Sequence, residues 1–203
     1  MRARSRARSE RTLKINRTIV AALALAVVPV IAAASPPAGA SAAASAKSLA
    51  KELLPFSYAK KAGFTQVAEK ATTTTKTGVK SCPNGAQEAF QDEANQTGVA
   101  AEVVGCTTTK AAAAVLKTVR AQAQAGSPSP PKQLGSSAIE VRGGGSTYAI
   151  YWQHASIVEL VALSTDVSAN TSSTTTTAVT PPITAAQQKI LSAAALAQNA
   201  AAG

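Results

Sequence analysis

The stretch Ala138–Ser164, AIEVRGGGSTYAIYWQHASIVELVALS, decides the fold. It contains three runs rich in Ile, Val, Tyr and Trp, residue types that pack well in β-strands. Gly143–Gly145 separates the first two runs, and a three-residue loop at His154–Ser156 separates the last two. Glycine-rich and polar breaks of this kind are typical of turns. The stretch therefore predicts an antiparallel meander of three strands.

Alternation along these strands predicts which side chains share a face of the sheet. Pairing across the glycine loop gives one apolar face, which consists of Ile139, Val141, Tyr148, Ile150 and Trp152, with Val158, Leu160 and Ala162 of the third strand. The other face of the third strand carries Ile157, Val161 and Leu163 beside Glu159. A strand that is apolar on both faces is usually covered on both. We therefore expect helices packed against the sheet.

A β-hairpin is expected upstream of the meander. Residues 86–92 and 98–106 flank the loop EANQT, and apolar side chains alternate along the second flank. A helix over residues 86–96 is the competing interpretation. The preceding segment, residues 63–80, is rich in Thr and Val, which favours an extended strand. Its run of four threonines also fits a solvated loop.

Three helices are expected around the strands. Residues 47–54 form a short helix that Pro55 stops. Residues 107–126 form the clearest helix, with threonine caps at its start, an apolar stripe along it and Gly126 at its end. Residues 183–203 form an amphipathic last helix. This order predicts the α+β class, with an antiparallel sheet made of the hairpin and the C-terminal three-strand meander, and with helices packed on it.

The first 34 residues have the order of a secretory signal peptide. Seven basic residues lie before residue 18, and the uncharged apolar run Ile19–Ala34 follows them. Candidate A-x-A cleavage sites end at Ala34, Ala42 and Ala46. A retained transmembrane anchor is the alternative. However, the sixteen residues of the apolar run would span about 24 Å as a helix, which is less than the ~30 Å hydrocarbon core.

These features divide the chain into a signal peptide, residues 1–34, an Ala/Ser/Pro linker, residues 35–46, and a single domain, residues 47–203. Within the domain, residues 168–182 have the composition of a linker or exposed loop. Cleavage between residues 34 and 46 would make the domain secreted or associated with the cell envelope. An uncleaved leader would instead anchor it to the membrane on the extracellular side.

The net charge of +10 is concentrated in the leader, whose first seventeen residues carry +6 and leave +4 for the rest of the chain. Aromatic residues make up only 3% of the sequence, and no basic stripe with interleaved aromatic residues lies outside the leader. Proteins that bind nucleic acid usually show such a patch. We therefore expect no nucleic-acid partner.

The two cysteines, Cys82 and Cys106, predict one structural disulfide, because cysteine pairs are oxidised in exported proteins. Their spacing is far from the C-x-x-C of redox motifs. Two cysteines and one histidine are too few for a classical zinc site, so no metal and no cofactor is expected.

No motif marks a catalytic residue. His154 is the single histidine, and neither a G-x-S-x-G motif nor a free cysteine provides a nucleophile for it. A carboxylate pair could support glycoside hydrolysis. Solvated strand and loop positions explain the acidic residues better, and Glu140 is expected opposite the apolar face. These acids are Glu88, Asp92, Glu93, Glu102, Glu140 and Glu159.

Two residues of the meander are the candidates for contacts with a ligand. Trp152 and Tyr148 are expected to fill the core. Tyr151 is expected on the other face of its strand, and His154 in the following loop, where each is free to contact a small molecule. No catalytic residue is assigned.

Several segments resemble a group of actinobacterial exported proteins. These segments are LLPFSYAKKAGF, VVGCTTTKAAAAVLKTVRA, LGSSAIEV and YAIYWQHASIVELVAL, and the resemblance spans about residues 48–200. The chain is also similar, more distantly, to the extracellular sensor domain of mycobacterial-type serine/threonine kinases. That resemblance implies a twisted antiparallel sheet with helices and a cleft, in a non-enzymatic envelope domain that binds a ligand.

The sequence thus favours an exported, non-enzymatic and sensor-like domain whose partner is a small molecule or an envelope component. One alternative is a small exported hydrolase that uses His154 or a carboxylate pair. Another is a passive wall-associated protein whose Thr-rich segments carry O-linked sugars.

Overall fold

A computed structural model describes residues 43–66, 71–74, 77–92, 94–95, 97–123, 129–142, 147–164 and 183–202. The expected signal peptide, most of the expected linker, the glycine loop of the meander, Glu93, Gly126 and residues 168–182 lie outside these ranges.

The described elements form an antiparallel sheet with helices on both faces, as the α+β prediction requires. The strands are β1 (Thr65–Gln66), β2 (Thr72–Thr74), β3 (Asn84–Asp92), β4 (Thr97–Gly105), β5 (Ile139–Arg142), β6 (Thr147–His154) and β7 (Ile157–Ser164). The helices are α1 (Ala46–Leu49), α2 (Phe56–Lys61), α3 (Thr109–Gln122), a 3₁₀ helix (Lys132–Leu134) and α4 (Ala185–Ala202). The strand order is β1-β3-β4-β7-β6-β5, and β2 also pairs with β3, next to β1.

Both expected β-units are confirmed. β3 and β4 form the hairpin, so the competing helix over residues 86–96 is wrong. The side chains of Val99, Ala101 and Val103 are buried on one face, and this period of two is the pattern of a half-covered strand. The meander of β5, β6 and β7 joins the hairpin through the pairing of β4 with β7.

The expected division of the meander into faces is wrong. Arg142 pairs with Tyr148, and five residues lie between them. Paired residues share a face, so the even-numbered residues of β5 and β6 lie together on one face of the sheet. Glu140 therefore shares a face with Trp152, whereas Ile139 lies opposite, with Tyr151. A change of register by one residue inverts every side chain of a strand, which is why the loop length decides the outcome.

The expected faces of the third strand, β7, are wrong for the same reason. His154 is the last residue of β6 and pairs with Ile157, so the turn has two residues rather than three. Its first residue, Ala155, has a φ of 50°, as tight hairpin turns require. Glu159 therefore pairs with Trp152 and shares its face of the sheet, whereas Val158, Leu160 and Ala162 lie on the other face.

Two apolar clusters cover the two faces of the sheet. On one face α3 packs against β5, β6 and β7. On the other face α4 packs against β6 and β7, and α1, α2 and the 3₁₀ helix complete the cluster. Helices thus cover both faces of the apolar strand β7, as expected.

Side-chain caps explain where two of the helices begin. Thr108 accepts a hydrogen bond from the Ala111 amide at 3.0 Å at the start of α3. At the start of α4, Thr184 and Gln187 form a reciprocal capping box, with bonds of 2.9 and 3.2 Å. The helix α3 ends at Gln122, before the expected end at Gly126.

The N-terminal part departs from the expected elements. The first helix ends at Leu49, and Pro55 precedes α2 instead of stopping a helix. A proline ring fixes φ near the helical value, so it fits at the start of a helix. Within residues 63–80 the described strands are the short β1 and β2 rather than one long strand.

The expected disulfide between Cys82 and Cys106 is confirmed, with an S–S distance of 2.06 Å. Both cysteines are buried. The bond ties the loop before β3 to the segment between β4 and α3. Closing a loop of this length stabilises a fold by about 3.5 kcal/mol in the chain-entropy estimate.

Trp152 is fully buried between the sheet and the helices of the α4 face. We expect Trp152→Ala to lower the free energy of unfolding by roughly 3–5 kcal/mol, because the substitution leaves a large cavity. His154→Ala is the matched control, since His154 is exposed at the end of the same strand; its effect should stay within about 0.5 kcal/mol. Chemical denaturation measures both values, and a loss below about 1 kcal/mol for Trp152→Ala would contradict this packing.

Candidate ligand-binding cavity

A cavity of about 300 Å³ opens beside α3, on the face of the sheet that this helix partly covers. Its floor is the sheet from β2 to β6, and Val115 and Val119 of α3 form one wall. Thr77, Val79 and Cys82 form another wall. The disulfide therefore holds in place the segment that closes the cavity.

The lining is mainly apolar. Val79, Val104, Val115, Val119, Val158 and Leu160 provide most of it. Four threonines, Thr72–Thr74 and Thr77, line the side formed by β2 and the following segment. Thr77 donates its hydroxyl proton to the Cys82 carbonyl oxygen and accepts a bond from the Val79 amide at 3.2 Å, so this hydroxyl is used within the protein.

The pairing of the strands places polar side chains in one row across the cavity floor. Thr72 pairs with Gln87, and Gln87 pairs with Glu102. Glu102 pairs with Leu160, which pairs with Tyr151. Glu102 and Tyr151 are therefore two strands apart on one face, with Leu160 between them. Strands lie 4.7–4.9 Å apart, which separates the two backbone positions by about 10 Å.

Two polar atoms of this row, in Glu102 and Tyr151, have no hydrogen-bond partner among the described residues. The Oε2 atom of Glu102 and the hydroxyl of Tyr151 are both enclosed and make no hydrogen bond. A buried polar group without a hydrogen bond destabilises a fold by about 1–3 kcal/mol. Such groups are therefore positioned to gain from a ligand that supplies donors.

Burial also changes the acidity of both groups. Desolvation raises the pKa of the Glu102 carboxyl to about 7, because the apolar surroundings disfavour its charged form. Desolvation likewise raises the pKa of the Tyr151 hydroxyl, and the nearby Glu102 carboxylate raises it further. Near neutral pH, Tyr151 is therefore a neutral group that can donate or accept, and Glu102 changes charge.

The structure separates the two residues that the sequence proposed as ligand contacts. Tyr151 lines the cavity. His154 is exposed at the end of β6, is not part of the cavity lining, and interacts electrostatically with Glu52. A ligand contact at either residue stays a prediction.

Glu102, Glu140 and Glu159 were named as candidate carboxylates and then set aside as solvated, and this expectation is wrong for Glu140 and Glu159. All three were expected in solvated positions, yet Glu140 and Glu159 are buried under α4, and Glu102 has an enclosed carboxylate oxygen. The sequence does contain a signal for this burial. All three acids lie inside strands in which the neighbouring residues are apolar on both faces. Such a strand leaves no solvated face for a charged side chain.

Glutamines of α4 contact the two acids on the opposite face. Gln188 donates to Glu140 at 2.6 Å, and Gln198 donates to Glu159 at 3.4 Å. Burial raises the pKa of the Glu159 carboxyl to about 7, and the nearby Glu52 carboxylate raises it further, while Gln198 opposes the shift. These acids face α4 and contribute nothing to the cavity on the α3 side.

Asp92 has a structural role in the hairpin turn. Its carboxylate accepts bonds from the amides of Ala94 and Asn95 at 3.1 and 3.2 Å, and from the Asn95 side chain at 2.6 Å. The bond from the Asn95 side chain and the two amide bonds lower the pKa of this carboxyl.

The described ranges contain no group of three or more His, Cys, Asp or Glu side chains placed to hold a metal ion. No helix within them has both the length and the apolar character that a membrane crossing needs.

Comparison of the chain with protein-family models, with curated proteins and with solved structures finds no match.

The buried acids predict that the protein becomes less stable as the pH rises from 4.5 to 7. Glu102 and Glu159 have pKa values of about 7 in the folded protein, against 4.5 for an ordinary glutamate. In this range the folded state keeps protons that the unfolded state releases. Each of the two groups therefore lowers the free energy of unfolding by up to about 3 kcal/mol. The decline should level off above pH 7. Thermal unfolding across this range measures it.

Two variants isolate the source of this pH dependence. Glu159→Gln should reduce the decline by about half, since glutamine keeps an acceptor for Gln198 and carries no titrating proton while Glu102 still titrates. Asp92→Asn is the control, because the carboxyl of Asp92 titrates below this range and its loss leaves the slope unchanged. A thermal midpoint that stays constant or rises between pH 4.5 and 7 would contradict the burial of these acids.

Proposed function

We propose that this chain is an exported, non-enzymatic domain of the cell envelope or the secreted fraction, which binds a small ligand in the cavity beside α3. The order of basic, apolar and small-residue segments in the leader supports export. The Oε2 atom of Glu102 and the Tyr151 hydroxyl have no partner among the described residues of this mainly apolar cavity, and this is the observation that supports binding. An apolar cavity with a few convergent polar groups is the usual form of a small-molecule site.

The contacts of the N-terminal segment bear on where the leader is removed. Asn84 donates a hydrogen bond of 2.8 Å from its side chain to the Ala44 carbonyl oxygen, and Ser45 caps α1. Cleavage after Ala46 would remove both contacts, whereas cleavage after Ala34 or Ala42 retains them. We therefore favour a mature chain that begins at Ser35 or Ala43.

The cavity volume limits the size of the ligand. An engineered protein cavity of about 150 Å³ holds benzene. The cavity beside α3 is about twice as large, so it suits a compact molecule of roughly ten to fifteen non-hydrogen atoms.

The arrangement of polar groups favours binding over catalysis. The Tyr151 hydroxyl makes no hydrogen bond to Glu102 within the described residues, so the carboxylate does not activate the hydroxyl as a nucleophile. Nucleophilic catalysis requires a hydroxyl or thiol that an adjacent base activates. Among the described residues, His154 lies outside the cavity lining, and the Thr77 hydroxyl is already used by the Cys82 carbonyl oxygen.

The walls of the cavity also fit a sensor-like role. A ligand seated between them would contact Val115 and Val119 of α3 and, opposite, Thr77 and Val79 of the disulfide-tethered segment. Binding would therefore fix the position of α3 relative to that segment. A ligand changes a conformational equilibrium when its contacts favour one arrangement, and contacts to two separate elements provide this.

One preparation tests both parts of the proposal. We expect the full chain, expressed in an actinobacterial secretion host, to reach the medium with an intact mass that corresponds to a start at Ser35 or Ala43. The recovered protein should bind the neutral probe 2-phenylethanol with a Kd near or below about 1 mM, as ligand efficiency allows for nine non-hydrogen atoms. NMR titration of the Val115 and Val119 methyl signals measures the affinity.

A cavity-filling variant provides the control. Val104→Phe should weaken binding at least roughly tenfold, because its ring occupies the cavity. Ala113→Phe adds the same ring on the exposed side of α3 and should leave the affinity unchanged. Retention of residues 2–34 in the cell-associated protein would overturn export with cleavage. Unchanged methyl signals, or equal affinity in the Val104→Phe variant, would overturn the cavity as the binding site.

A further inference from the structure

The polar groups of the cavity floor define the chemistry that a ligand must supply. Glu102 presents a carboxylate oxygen that can only accept when ionised, and Tyr151 presents a hydroxyl that can also accept. Both oxygen atoms are enclosed by apolar walls and have no partner within the described residues. A ligand that carries several donors on one atom would satisfy both.

We propose that the ligand is a compact organic cation, an amine with an apolar body, whose ammonium group binds between Glu102 and Tyr151. This inference rests on the proposed function, because it names the class of molecule that the same cavity takes. An ammonium has three N–H donors. One donor would pair with the carboxylate and a second with the tyrosine oxygen, while the apolar body lies against Leu160 and the valines of the lining.

The charges around the cavity select against the other ligand classes. Glu102 is the only carboxylate among the described lining residues, and none of these residues is Lys, Arg or His. An anionic ligand would meet a negative charge without a compensating cation, which is unfavourable in apolar surroundings. A neutral alcohol could donate one hydrogen bond but would leave the carboxylate charge unpaired.

The overall charge of the chain does not provide this selectivity. The sequence carries +10, and even the part beyond the first seventeen residues carries +4, so the protein as a whole repels cations weakly. Cation binding would therefore come from the local pairing with Glu102. Charge-assisted hydrogen bonds are about twice as strong as neutral ones, which makes this pairing the main source of affinity.

Three probes of similar size test the proposal on the full secreted protein at pH 8, where Glu102 is ionised. We expect 2-phenylethylamine to bind at least roughly tenfold more tightly than 2-phenylethanol, and 3-phenylpropanoate to bind more weakly than either. Glu102→Gln should remove the preference for the amine, because the amide keeps the shape of the side chain without its charge. The affinity for the alcohol should change less than about threefold.

Glu88→Gln is the matched control. Glu88 pairs with Ala101 and so lies on the opposite face of the sheet from Glu102. The same change of chemistry there should leave the preference for the amine intact. Circular dichroism and the thermal midpoint verify that both variants are folded.

A second measurement needs no variant. The amine affinity of the unmodified protein should fall about tenfold for each pH unit below 7, as Glu102 becomes protonated. The alcohol affinity should stay nearly constant over the same range. Among the described residues that line the cavity, the titratable groups are Glu102 and Tyr151, and α3 contributes the uncharged Val115 and Val119.

The outcomes distinguish failure of the organic-cation proposal from failure of the proposed binding function. Equal affinity for amine and alcohol, or a preference that survives Glu102→Gln, would overturn the organic cation and leave the cavity as a binding site. Tighter binding of 3-phenylpropanoate would do the same. Failure of all three probes to bind would overturn both the cation and the proposed function.

Discussion

The antiparallel register of β4, β7 and β6 is the constraint on which the candidate site depends. It places Glu102, Leu160 and Tyr151 in one row on one face of the sheet. A shift of one residue in either pairing would send Glu102 or Tyr151 to the α4 face. The disulfide supports the same site from the side, because it ties the segment that closes the cavity to the end of β4.

The buried acids on the two faces of the sheet differ in their hydrogen-bond partners. On the α4 face, Glu140 and Glu159 receive hydrogen bonds from Gln188 and Gln198, so polar groups of the covering helix partly satisfy these acids. On the α3 face, the helix covers β5, β6 and β7, and no described residue provides such a partner for the Oε2 atom of Glu102. A buried charge that the fold does not pair is costly and is therefore a marker of function.

Much of the architecture could be predicted because it depends on local patterns. The strands of the meander, the hairpin, α3 and α4 follow from alternation, caps and turn residues, and the disulfide follows from two cysteines in a chain whose leader predicts export. The division into faces could not be predicted, because it depends on whether a loop has an odd or an even number of residues between paired positions. The same uncertainty hid Glu140 and Glu159.

The candidate site was only partly accessible from the sequence. Tyr151 was identified because it alternates with the core residues Ile150 and Trp152. Glu102 was not, because its burial depends on how far α3 extends across the sheet, which is a property of helix packing rather than of the strand. The position of Leu160 beside Glu102 likewise arises from the pairing of β4 with β7, two strands that are far apart in the chain.

The most direct test of the account is an NMR titration of the Glu102 side-chain carboxyl carbon in the free protein and in the presence of saturating 2-phenylethylamine. The account predicts a midpoint near pH 7 in the free protein, because burial of the carboxyl disfavours its charged form. It predicts a midpoint at least about one pH unit lower with the amine bound, because an adjacent cation favours the carboxylate. A free-protein midpoint near the ordinary glutamate value, or one that the amine leaves unchanged, would contradict it.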